Sequence, residues 1–302
     1  MTIKILCDTS ADLVLNPNKP LYDSLDIGIL PMKVFFDKND TFLEQKNISN
    51  IQFYELIKLS QTQPKTSPPA ADDIFKEFQR YGKEYDELIS LHISKDLSHT
   101  YINAVEAKKR YLKTESNPAR INIIHSGVAS LPLGKLVLKA VELKNKGYEV
   151  SEIIKQLYSW KENSVKSAFT VKDLNWLYEG GRLTRSQKTI GTILNKKPVL
   201  TFNHGKINVI GYSTGLERTL RFMVKYLISK MEEEKMNKLT MSFITAHNFG
   251  LIDDFSRVIK KEFPKINLGP KFELGATITS HTGMETIGFV ISRDLKLDTL
   301  IK

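Results

Sequence analysis

Apolar positions in the first half of the chain come in two kinds. Some are short, nearly continuous runs, and others recur every three or four residues among charged neighbours. The first kind reads as buried strand and the second as amphipathic helix. Ile3 to Cys7 predicts an opening strand that runs into Asp8-Thr9-Ser10-Ala11-Asp12-Leu13. Ile27 to Phe36 is apolar but contains Pro31, which predicts an edge strand or two short pieces. Ile48 to Ser60 carries Ile51, Tyr54, Leu56, Ile57 and Leu59 at helical spacing. Pro64 to Ala70 predicts a rigid turn, because proline fixes its own φ and restrains its predecessor; Thr66 and Ser67 sit inside it. A helix follows from about Asp72 to Tyr81. Glu87 to Ile93 predicts a buried strand, and the hydroxyl-bearing loop Ser94 to Thr100 leads into a helix from Tyr101 to Tyr111. Arg120 to His125 predicts another buried strand, and His125 to Ser130 opens a helix from Leu131 to Lys146.

The second half has a different rhythm. Ser164 to Val171 predicts a strand, and Lys172 to Glu179 a short helix stopped by Gly180-Gly181. After Arg182 to Arg185, a further helix is expected through Ile190 and Leu194. Pro198 to Phe202 and Ile207 to Tyr212 flank Asn203-His204-Gly205-Lys206, a hairpin turn by composition. Leu216 to about Glu234 predicts a long helix, Leu239 to Ala246 a strand and Leu251 to Phe263 a helix. Lys271 to Thr279 and Thr286 to Ser292 are expected as strands separated by Ser280-His281-Thr282-Gly283. Strand pairs with helices between them indicate an α+β unit with a mainly antiparallel sheet. The expected division is an α/β domain with a mainly parallel sheet over 1–163 and an α+β domain over 164–302.

Three of the first-half strands end in Ser/Thr-bearing loops that lead towards helices. Ligands of open α/β sheets settle at the carboxyl ends of strands, where helix N-termini offer unpaired N–H groups to an anion. The same hydroxyls also serve as ordinary helix caps. Three such loops on one face favour a polar crevice.

Composition changes this picture little. No apolar run approaches the roughly 20 residues that span a bilayer. The N-terminus goes straight into a strand pattern without a signal-peptide design. Cys7, the single cysteine, excludes an internal disulfide, and the expected location is the cytoplasm. The net charge of +10, from 44 Lys and Arg against 34 Asp and Glu, could draw in nucleic acid or anionic membrane. No basic run interleaves with aromatics, so nucleic acid is not expected, and only transient contact with anionic membrane is left open. The histidines form no metal-ligand spacing; no metal and no cofactor are expected.

Six segments in this order resemble the DegV family of bacterial lipid-binding proteins over nearly the whole chain. They are Asp8 to Leu13, Thr66-Ser67-Pro68-Pro69, Leu97-Ser98-His99-Thr100-Tyr101, Glu179-Gly180-Gly181-Arg182-Leu183, Lys197 to Leu200 with Gly205-Lys206, and His281-Thr282-Gly283. The resemblance implies a two-domain protein that buries a fatty acid between its domains. Relatives of known role are the acyl-carrying subunit of fatty acid kinase. They present the bound carboxylate to a separate ATP-using subunit, without catalytic machinery of their own. By motif, Thr66, Ser98 and His281 would face the carboxylate, with Ser67 and Ser126 as further ligand residues; Arg182 would lie at the mouth, facing the kinase subunit. The chemistry suits such a site: a buried carboxylate needs hydrogen-bond donors, and a tail gains roughly 0.8 kcal/mol per buried CH₂ before ordering costs.

The chain departs from the family at His99, Pro68, Ala70, His125 and Met284-Glu285. The hairpin also lacks a cleanly aligned second arginine, with Arg218 nearby. His99 is expected beside the head group. Two other readings follow: a lipid-binding paralogue with another lipid and no kinase partner, and a serine hydrolase built on Ser98 or Ser126 with His281. Phosphoryl transfer through His125 is a third. Neither Ser98 nor Ser126 sits in a G-x-S-x-G elbow, so no such motif supports the hydrolase built on them.

Overall fold

Four parallel strands make the first sheet, in the order Ile27–Leu30, Ile3–Asp8, Glu87–His92, Arg120–His125. The two central strands are buried almost throughout, as expected where both faces of a parallel sheet are covered. Arg120–His125 is an edge strand and buries only Ile121 and Ile124. The computed structural model describes residues 2–36, 40–60, 62–184, 196–231, 239–293, 295 and 297–300.

Each face of this sheet has its own cover. Leu6, Leu30, Leu88 and Ile121 pack against Ile74, Phe78, Ala104 and Tyr111 of the helices Ala71–Gly82 and Thr100–Thr114. Ile5, Cys7, Ile89 and Leu91 turn the other way, into a core shared with Leu133, Leu136, Val137 and Ala140 of the helix Leu131–Asn145. That helix is buried on every side from Leu131 to Leu143, its Lys135, Lys139 and Glu142 included. It lies between the parallel sheet and the second sheet, touching strands of both.

The second sheet has eight strands. In order they are Lys206–Thr214, Lys196–Asn203, Val165–Thr170, Ile287–Arg293, Leu239–Thr245, Asn267–Glu273, Val14–Leu15 and Lys19–Pro20. All neighbours run antiparallel except Leu239–Thr245 with Asn267–Glu273. The last two strands come from the start of the chain and extend the sheet through the pairing of Leu15 with Phe272. On its outer face, Leu220, Met223 and Leu227 of the helix Leu216–Ser229 and Ile252, Phe255 and Ile259 of the helix Phe249–Glu262 close a separate core. The hairpin turn is as expected, with left-handed backbone at His204 and Gly205. Ser94 Oγ donates to Gly205 O at 2.7 Å, seating the turn on the loop after Glu87–His92.

The architecture is the expected one, a mainly parallel α/β sheet followed by a mainly antiparallel α+β sheet. Ile27 to Phe36 falls into two short pieces at Pro31, one of the two expected outcomes, and its second piece, Lys33–Phe35, centres a three-stranded sheet with Thr41–Leu43 and Lys65–Ser67. Several other local expectations are corrected. The expected turn at Pro64 to Ala70 is therefore partly a strand, in which Thr66 pairs with Val34. The helix Asn50–Leu59, opened by a Ser49–Gln52 capping box, buries Phe53, Tyr54 and Ile57; Ile51, Leu56 and Leu59 face out. The helix Val150–Ser164 was not expected from the pattern, although Val150, Ile153, Leu157 and Trp160 form its buried face. The expected strand Lys271 to Thr279 ends at Glu273 and gives way to a helix, Ala276–Thr282. His281 is thus a helical residue rather than part of a turn. The short helix begins at Asn175, later than expected, and ends at Glu179. Arg185, the helix expected through Ile190 and Leu194, and the stretch reaching Glu234 lie outside the described residues.

Candidate functional site

Between the two sheets lies a cavity with about 760 Å³ of space free of protein atoms, part of it open to solvent. Met32, Thr66, Ile93 and Ser98 line it from the first half of the chain, and Phe169, Arg182, Ile244, His281 and Phe289 from the second. Most other hydroxyls in its wall are occupied within the protein. Ser130 Oγ donates to Asp12, Thr277 Oγ1 to Glu44, Thr282 Oγ1 to Ile278 O, and Thr286 Oγ1 to backbone carbonyls. The surface left for a ligand is mainly apolar, the usual character of a small-molecule site.

One polar cluster interrupts that surface. His281 Nε2 lies 2.7 Å from Thr66 Oγ1. His281 Nδ1 is buried without a hydrogen-bond partner. It rests against Gly180, where a Cβ would come within 2.4 Å of it. An orphaned N–H is the rarer and costlier case in a protein interior, which assigns the ring proton to Nε2 as donor to Thr66. The Thr66 hydroxyl proton is then available to a ligand oxygen. Burial, and after it the nearby Arg182 charge, holds the His281 pKa down at about 3, so the ring is neutral near pH 7.

Arg182 closes the cluster. Its Nε donates to Leu97 O at 3.0 Å and its Nη1 to Gly180 O, which fixes the guanidinium between the Ser98 loop and the glycine against which His281 rests. Burial pulls its pKa below the ordinary arginine value. Ser98 is buried one residue before the N-cap of Thr100–Thr114, its Oγ 2.8 Å from Thr100 Oγ1. Together the cluster offers a neutral imidazole, two hydroxyls and one cation. That set suits a single carboxylate as hydrogen-bond acceptor and counter-charge.

Other expected residues fall elsewhere. Ser67 Oγ donates to Pro68 O at 3.2 Å and does not line the cavity. Ser126 borders a separate, more polar cleft with His125, and its Oγ donates to Val128 O at 3.0 Å. Arg182, expected at the mouth, lines the cavity itself. His99 is exposed and away from the lining. The hydrolase pairing is not assembled: His281 bonds Thr66, and neither Ser98 nor Ser126 reaches it. His125 Nε2 accepts the Lys95 N–H at 3.0 Å, and burial with Lys95 and Lys161 keeps its pKa below normal. Among the described residues no cluster of three or more His, Cys, Asp or Glu could hold a metal ion. No helix among them is long and apolar enough to cross a membrane.

The family model described as "Uncharacterised protein, DegV family" matches residues 2–294. The chain belongs to the DegV family. Two solved DegV proteins, a fatty acid-binding one from Thermus thermophilus and the fatty acid-binding DegV of Bacillus subtilis, are each 26% identical to it with a TM-score of 0.82. Each comparison covers 97% of this chain and 100% of the other. A Streptococcus pneumoniae fatty acid kinase (Fak) B3 protein loaded with linoleic acid superposes with a TM-score of 0.81. It covers 97% of this chain and 100% of that one, and at 18% identity the likeness speaks for the fold alone.

This DegV chain also carries two buried carboxyl groups behind the cavity wall: Asp12, inside the first of the six motifs, and Glu44, which no motif singled out. Glu44 is fully buried and accepts from Thr9 Oγ1 at 2.7 Å, Thr277 N at 2.9 Å and Thr277 Oγ1 at 2.7 Å. Asp12 accepts from Ser130 Oγ at 2.5 Å and from Gly275 N at 3.0 Å. Burial pushes both carboxyl pKa values up. An isolated glutamate between a strand and a helix gives no sequence signal of this. Their partners lie 233 and 263 residues further on, at Thr277 and Gly275.

Proposed function

We propose that this protein binds one long-chain fatty acid in the cavity, its carboxylate held by Thr66, Ser98 and Arg182 beside the His281 ring and its tail along Ile93, Phe169, Ile244 and Phe289. The observation that carries the reading is the convergence of those four polar residues in an otherwise apolar wall. The Thr66 hydroxyl supplies a proton to the carboxylate, Arg182 supplies counter-charge, and the neutral imidazole orients Thr66. The tail supplies the affinity, roughly 0.8 kcal/mol for each CH₂ buried, less the cost of ordering it. The site lies between units 1–163 and 164–302, which contribute opposite walls.

The carboxylate is presented, in this proposal, to a separate ATP-using kinase subunit in the cytoplasm, which forms the acyl phosphate. The fatty acid binding of two solved DegV proteins at 26% identity supports the ligand, and the partner is taken from the name of the Fak B3 protein, which shares the fold. In the Thr66–His281 pair the imidazole donates its proton instead of taking one, and Nδ1 has no orienting partner, so the pair is not a nucleophile with its base and the chemistry belongs to the partner.

Native mass spectrometry of the purified protein tests the ligand: one fatty acid per chain is expected. A protein that is empty and takes up no added palmitate or oleate overturns the proposal. Incubation of the loaded protein with ATP and a fatty acid kinase catalytic subunit tests the partnership. Acyl phosphate is expected, and its absence with a subunit active on other carriers removes the kinase role.

A further inference from the structure

We propose that Glu44 is a positioning residue for the carboxylate site, a buried strut that sets the helix bearing His281. The inference rests on the fatty acid reading above and deepens it.

The helix Ala276–Thr282 begins at Gly275, which has no side chain with which to cap the exposed N–H groups of the first turn. The caps come from the far end of the sequence. Asp12 Oδ1 takes the Gly275 N–H at 3.0 Å, and Glu44 Oε1 takes the Thr277 N–H at 2.9 Å. Glu44 Oε2 also accepts the hydroxyls of Thr277 and Thr9, each at 2.7 Å. Its hydrogen-bond partners include no cation. The positive end of the helix and two hydroxyls compensate its burial. Displacing the helix would leave a buried carboxylate short of partners, so Glu44 and the helix start fix each other.

The geometry carries that constraint to the ligand cluster. Thr277 and His281 are four residues apart on one helix and so share a face, and both line the cavity. On the other side, Thr9 Oγ1 also accepts the Met32 N–H at 3.0 Å, and Met32 lines the opposite wall. Glu44 thereby links both walls without touching the cavity itself. A residue of this kind acts on the head group through His281 and Thr66 and leaves the tail contacts alone.

That separation gives the test: affinities of the full-length protein for palmitate and for hexadecanol, which shares the tail but lacks the carboxylate. The wild-type protein is expected to prefer the acid. Glu44→Ala should weaken palmitate about tenfold, the loss of about one hydrogen bond to a charged group, and leave hexadecanol within about twofold. Glu44→Gln, whose amide can still accept from the Thr277 N–H, should recover most of the palmitate affinity. Should Glu44→Ala not fold, Thr9→Val, outside the cavity lining, removes one strut bond and should give a smaller loss of the same kind, about threefold. Unchanged palmitate affinity, equal loss for both ligands, or no recovery in Glu44→Gln overturns the inference and leaves the fatty acid site standing. A wild-type protein without preference for the acid overturns the carboxylate site, and the inference with it.

Discussion

Thr66 Oγ1 and His281 Nε2 meet at 2.7 Å although 215 residues separate them in the chain. The contact ties the last strand of the three-stranded sheet to the helix Ala276–Thr282. Gln63, just before that strand, strengthens the tie by donating to Ser280 O at 2.8 Å and Trp176 O at 3.0 Å. The polar cluster of the cavity is therefore built across a seam between distant parts of the chain.

Removing a donor from that seam should weaken the acid selectively. Thr66→Val and Ser98→Ala are each expected to reduce fatty acid affinity about tenfold to a hundredfold, the range for a hydrogen bond to a charged group. Displacement of a fluorescent fatty acid measures this. Wild-type affinity in either variant removes that residue from the site.

His281 makes stability depend on pH in the acid range. Its pKa is about 3 in the folded protein, against roughly 6.5 for an unfolded histidine. The folded state resists the proton, so the stability associated with the neutral ring is complete above about pH 6.5 and is lost as the pH falls towards 3. Thermal unfolding of wild type and His281→Asn across that window should show the wild-type advantage shrinking with acidification. A bound carboxylate should raise the His281 pKa, detectable in the ring-proton shifts on loading.

Gly180 is the glycine on which the cluster depends most directly. A Cβ there would fall 2.4 Å from His281 Nδ1 and 3.0 Å from Trp176 O. Gly180→Ala should push the imidazole away from Thr66 and lower fatty acid affinity to about the level of His281→Ala, with the overall fold retained by circular dichroism.

Much of this was legible in the sequence, and the failures share a cause. Thr66, Ser98, Arg182 and His281 were all identifiable, because ordered motifs carry them. The helix around His281 was not, because Phe272, Leu274, Ala276 and Ile278 alternate like a strand. Its N–H groups are capped by Asp12 and Glu44 from more than 230 residues away, a constraint that no local pattern encodes. Lys65–Ser67 looked like a proline-rich turn until Lys33–Phe35 gave it a ladder to join. The outward-facing Ile51 and Leu59 hid the true buried face of their helix, which Phe53, Tyr54 and Ile57 form.

Lys135 offers an independent test of the packing between the sheets. It is fully buried in the central helix, donates to Ser242 Oγ at 2.7 Å and lies over the Phe272 ring. Burial lowers its pKa to about 7, below the unfolded value of about 10.4. The neutral amine is the favoured folded form, so the associated stability is complete above about pH 10.4 and is lost as the pH falls towards 7. Lys135→Met should stabilise the protein at and below pH 7 by on the order of 1–3 kcal/mol in urea unfolding. The gain should fade in alkali.

The position of the bound head group decides the matter most directly. Protein loaded with palmitate carrying carbon-13 at its carboxyl should give one carboxyl resonance in slow exchange. That resonance should show contacts to the Thr66 methyl and the His281 ring. A carboxyl signal that titrates like free palmitate, or one without contact to either residue, would contradict a carboxylate held at this seam.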